Sequence, residues 1–65
     1  MSSKYSLVGV DGNAFSIMGY VKNALKKSGH GDLVDKMFSE AMSGDYSHLI
    51  RVCDGYLDIA NGEDK

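Results

Sequence analysis

The chain has 65 residues, of which 43% are hydrophobic, and a formal net charge of −2. That size permits one domain near the lower limit for independent folding, with a core worth only ~3–5 kcal/mol unless a disulfide, a metal or a partner chain adds to it. The composition excludes disorder throughout, the acidic balance weighs against a general nucleic-acid binder, and no apolar run approaches the ~18 residues of a membrane span.

The first segment, residues 4–10, is short and β-prone over Tyr5-Ser6-Leu7-Val8-Gly9-Val10. It reads as a strand or an extended arm. Asp11-Gly12-Asn13 is a turn, and Asn13 is placed to cap a helix. Helix one is expected over about 14–28, because Ala14, Ile17, Met18, Val21, Ala24 and Leu25 repeat with a 3.6-residue period. Lys26 and Lys27 suit its negative end, and Gly29 suits its C-terminal cap. Helix two is expected over about 32–42, with Leu33, Val34, Met37, Phe38, Ala41 and Met42 on one face. Ser43-Gly44 ends it. Asp45 caps helix three, expected over about 46–60 with Tyr46, Leu49, Ile50, Cys53, Leu57 and Ala60 as its stripe. Val52, Tyr56 and Ile59 widen that stripe. Residues 61–65 are polar and expected to fray.

Short connections make successive helices neighbours, so the expected fold is mostly α, a three-helix bundle with a short N-terminal strand or extended arm. A lone strand has no ladder partner. The arm is therefore disordered, packed on the helices without a ladder, or paired with the same arm of a second copy in a homodimer.

Little in the pattern supports catalysis. Cys53 is the one cysteine and falls on an apolar stripe, which suits an inert core thiol. His48 and Cys53 are five apart, no CxxC or HxxxH spacing exists, and neither a metal nor another cofactor is expected. The lone cysteine, with no export-type segment at the start, points to the cytoplasm.

Four features could bind something. The corner from Val8 to Ala14 joins an extended segment, a glycine turn and a helix start, which is a possible anion seat. Its spacing matches no phosphate loop, Asp11 repels anions, and a plain capped turn explains it better. Gly19 and Gly55 stand inside helices, where each costs up to ~1 kcal/mol against alanine. Gly19 lies on the polar side of helix one, where a subunit or ligand can come close; Gly55 is explained by close helix packing. Tyr46, His48 and Arg51 cluster near the start of helix three and could form a polar-aromatic site, against the plainer reading of a capped helix with solvated side chains. Lys22, Lys26 and Lys27, joined by His30, form a basic patch that could touch nucleic acid or an acidic protein, against the plainer reading of a solvated face; Asp54, Asp58, Glu63 and Asp64 make the C-terminal part acidic, and such segregated charge could also serve self-association. Helices two and three have helix-turn-helix loop length, but the recognition helix would carry three aspartates and one arginine.

The stretches Asp11-Gly12-Asn13-Ala14-Phe15-Ser16-Ile17-Met18-Gly19 and Glu40-Ala41-Met42-Ser43-Gly44-Asp45-Tyr46-Ser47-His48-Leu49, with Ala24-Leu25-Lys26-Lys27 between them, resemble a group of small uncharacterised helical proteins of bacteria, phages and mobile elements. The resemblance spans about Gly9 to Ile59. It implies a setting, in which small phage proteins inhibit host defence and some sequester nucleotide signals, and it carries no activity of its own.

Two expectations follow. The first is a non-enzymatic binding module, homo-oligomeric, that meets a protein partner through an exposed patch of Phe15, Tyr20 and Tyr56. The second is a binder of a small anionic, nucleotide-type ligand in a pocket between subunits. Its candidate residues are Asn13, Phe15, Gly19, Tyr46, His48 and Arg51. A DNA-binding regulator is a lesser third.

Overall fold

The structure is a computed structural model that describes residues 5–62. Three helices pack around one core: α1 (Ala14–Lys27), α2 (Val34–Ala41) and α3 (Tyr46–Ala60). The broadest packing is α1 against α3, and α2 meets both. Lys4 of the expected arm and residues 63–65 of the expected tail lie outside the described residues.

Each helix end is closed by its own sequence. The Asn13 side chain accepts from the backbone N–H of Phe15 and Ser16, at 2.8 and 3.4 Å, and so satisfies two free donors at the start of α1. At the other end Gly29 has φ +87°. There the His30 N–H donates to the Leu25 carbonyl and the Gly29 N–H to that of Lys26, a Schellman closure. Asp45 caps α3 by accepting from the His48 N–H at 2.9 Å.

The second helix begins later than its pattern predicts. Residues Gly31–Leu33 form a 3-10 turn, and α2 starts at Val34. The Leu33 N–H closes on the His30 carbonyl, and no side chain caps this start, so the first turn tightens instead.

The core holds the expected stripes: Ile17, Met18, Val21, Ala24 and Leu25 from α1, Val34, Met37 and Ala41 from α2, and Leu49, Cys53, Tyr56 and Leu57 from α3. No buried polar or charged residue is found among the described ones. Two expected core positions are outside it: Met42 and Tyr46 are exposed. Tyr56, expected on an exposed aromatic patch, is buried, and its hydroxyl donates to Glu40 Oε1 at 3.0 Å. Tyr20 is half-buried. Of that patch only Phe15 stands in solvent.

No strand occurs among the described residues. Gly9 breaks the β-prone run, because it sits third in a turn closed from the Val10 N–H to the Leu7 carbonyl and has φ +84°. The arm packs on the helices without a ladder. The Tyr5 N–H donates to Asn61 Oδ1 at 2.8 Å, and Asn61 Nδ2 donates to the Tyr5 carbonyl at 2.9 Å. One amide side chain thus stands in for a neighbouring strand. The Ser6 N–H donates to the Tyr20 hydroxyl, and the rings of Tyr5 and Tyr20 meet edge to face. Asn61 is therefore held, where a fraying tail was expected.

Asn61→Ala is expected to cost about 1–3 kcal/mol, from two partly buried hydrogen bonds. Hydrogen exchange should show amides 5–10 losing protection while those of α2 keep theirs. Unchanged protection of the arm would mean that apolar packing alone holds it.

Candidate functional site

The junction between α2 and α3 is built on one carbonyl. The Glu40 oxygen accepts from the Ser43 N–H at 3.2 Å and from the Ser43 hydroxyl at 2.7 Å. His48 Nε2 lies 2.8 Å from the same oxygen. A carbonyl only accepts, so this bond puts a proton on Nε2. His48 Nε2 also lies 3.1 Å from Ser43 Oγ. The distance suits a nucleophile and its base, but both groups spend their hydrogens on Glu40. The pair closes the end of α2, where free carbonyls need donors.

This explains Gly44. A β-carbon there would stand 2.7 Å from His48 Cγ. The imidazole lies over the glycine.

Beside the junction is a groove of about 400 Å³ between the start of α1, the end of α2 and the start of α3. Phe15, Met18, Met42, Asp45, Tyr46 and Leu49 are among the residues that line it. A second groove, also about 400 Å³, runs between the arm and the outer side of α1 and α3, with Leu7, Val8, Val10, Tyr46, Ile50 and Asp54 on its walls. Tyr46 borders both. Its hydroxyl donates to the Gly12 carbonyl, so the ring stands as a partition.

The large apolar side chains exposed among the described residues are Val8, Phe15, Met42 and Tyr46, at 89, 77, 60 and 50%. Phe15, Met42 and Tyr46 line the first groove, and Val8 and Tyr46 line the second. Aspartates 45 and 54 are the charged residues on those walls; no lysine, arginine or histidine lines either groove.

The six candidate residues thus divide. Phe15 and Tyr46 come together. Asn13 is committed to its cap, and His48 to the α2–α3 junction. Arg51 is exposed on α3 and lines neither groove. Gly19 is half-buried on α1, and a β-carbon there would meet nothing within 4 Å. Gly55, expected to serve close packing, is equally open. Met42 and Val8 were missed as site residues. Met42 sits at the very end of α2, where a core pattern no longer decides which way a side chain faces.

Cys53 is fully buried. Burial, and secondarily the charge of Asp54, push its thiol from 9.0 up to about 11. Among the described residues no three His, Cys, Asp or Glu side chains are grouped to hold a metal ion. No described helix is long and apolar enough to cross a membrane.

The geometry generates two predictions. Gly44→Ala should destabilise strongly in the parent but much less in a His48→Gly background, because the β-carbon of His48 stands 2.9 Å away as well as its ring. Denaturant melts of the four proteins form the double-mutant cycle, and additive losses would sink this account. Cys53 should resist thiol reagents in the native state. An unfolded thiol ionises first, so stability should be complete below pH 9 and fall as pH rises toward 11. Cys53→Ser should flatten part of that alkaline limb in thermal melts.

No protein-family model, curated protein or solved structure matches this chain.

Proposed function

We propose that this protein is a non-enzymatic binding module that docks a protein segment on its apolar band. The observation that carries this reading is the gathering of Val8, Phe15, Met42 and Tyr46 on two grooves that share Tyr46. Exposed apolar side chains are ordinary when scattered; gathered on adjoining concave walls they favour a partner. The charged groups on those walls are Asp45 and Asp54, so the fitting segment presents apolar anchors flanked by lysine or arginine. In a phage or mobile-element setting such a partner would belong to the host.

The nucleotide-binding alternative needs a cation facing the ligand. The grooves offer aspartate there, and His48 is engaged at the α2–α3 junction. DNA binding meets the same obstacle, with Asp45, Asp54 and Asp58 on α3.

Selection of a random peptide library on the immobilised protein tests the reading. The expected winners combine spaced large apolar residues with Lys or Arg. Their binding should fall at least about tenfold with Met42→Ser or Phe15→Ser, since central apolar anchors carry most of a docking energy. Winners that are acidic, or that bind both variants like the parent, would overturn it.

A further inference from the structure

The outer face of α1 carries features that neither the core nor the grooves explain. Phe15, Gly19, Lys22, Asn23 and Lys26 follow one another at helical spacing, so they share a face. Gly19 lies between Phe15 and Lys22 on it. The core residues Ile17, Met18, Val21, Ala24 and Leu25 lie on the opposite side. The fold makes no demand for glycine at position 19: a β-carbon would meet open space, and the residue is not in a left-handed conformation. A mid-helix glycine weakens a helix and also lets another backbone approach.

Charge along this face is polarised. Lys26 and Lys27 stand in the last turn with Lys22 one turn before them, and among the described residues their ammonium groups are in no ion pair. Acid stands at the N-terminal end. Asp11 accepts from the Ser16 hydroxyl at 3.3 Å, beside Phe15 on α1. Asp45 shares a groove with Phe15.

We propose that this face is a self-association surface, on which α1 packs antiparallel against α1 of a second copy with the two-fold axis at Gly19. The charge pattern selects that occupant and that direction. Gly19 lies midway between Asp11 and Lys27 in the sequence. An antiparallel copy centred on Gly19 therefore sets each acidic end against the partner's basic end, twice over by symmetry. A parallel copy would oppose lysine to lysine. Phe15 falls opposite the partner's Asn23, and the absent side chain at Gly19 lets the helices close. Antiparallel helix dipoles add to the attraction. The surface borders the first groove at Phe15 and extends away from it through Gly19 and the lysines, which line neither groove.

Sedimentation of the pure full-length chain over a concentration series, at low and high salt, tests it. The parent should dimerise at low salt and weaken as salt screens the ends. Gly19→Leu should weaken association about tenfold or more with its helical circular dichroism intact, since the site is open within the chain. Lys26→Glu with Lys27→Glu in one chain, and Asp11→Lys in another, should each be monomeric alone. Mixed together they should pair, because each reversed end then meets its complement. A parent that stays monomeric, a dimer indifferent to Gly19→Leu, or a mixture that fails to pair overturns the proposal. The Met42→Ser peptide result, at a groove residue off this face, can succeed or fail independently of each of these results.

Discussion

The interior of this chain has room for few side chains, and it takes only apolar groups and one anchored tyrosine. Val21, Leu25, Met37, Ala41 and Cys53 are completely enclosed, and the single polar atom that Tyr56 brings with it is led out to Glu40. A body of 30 × 25 × 19 Å cannot surround three helices fully. Each helix buries one stripe, and whatever apolar groups stand beyond that stripe must face water. Phe15, Met42 and Tyr46 are that remainder, and they stand together because all three lie where the ends of the helices converge.

With so little burial, the helix ends matter more than in a larger domain. Every turn between helices spends its polar groups locally. Asn13 and Asp45 supply acceptors, Gly29 supplies the left-handed residue, and Ser43 with His48 supplies donors to Glu40. The α2–α3 loop also places Tyr46, whose hydroxyl reaches back across 34 residues to Gly12. That bond ties the entrance of α1 to the entrance of α3 and separates the two grooves. The chemistry of the junction is thus structural, and the surface it organises is the part left over for binding.

The surface divides into an apolar band with aspartates on its walls and a polarised outer face of α1. They call for different partners. The band lacks cations and suits a segment that brings them. The α1 face carries both signs at opposite ends and suits its own inverted image. Both readings rest on the same physical point: a small fold that satisfies its backbone internally leaves its unspent side chains as its means of recognition.

Much of the fold was legible in the residues. The 3.6-residue period marks all three buried stripes, and Asn13, Gly29 and Asp45 announce their caps, because these interactions join residues within a turn or two of each other. The late start of α2 and the break at Gly9 also have local causes, and Gly9 was a signal open to a stricter reading. The candidate site was legible only in part. Phe15 lies off the predicted stripe of helix one and Tyr46 reads both as stripe and as part of a polar-aromatic site, whereas His48 and Arg51 resemble ligand groups by type and spacing alone. The residues alone thus specify the local part: three helices, two of them with side-chain caps, and the faces they bury. Only the tertiary structure decided that Asn61 holds Tyr5, that His48 lies over Gly44 against Glu40, that Tyr56 turns inward while Tyr46 turns out, and that Met42 joins Phe15 on one groove. Those outcomes depend on how helices lie across one another, which joins residues distant along the chain and leaves no periodic trace in it.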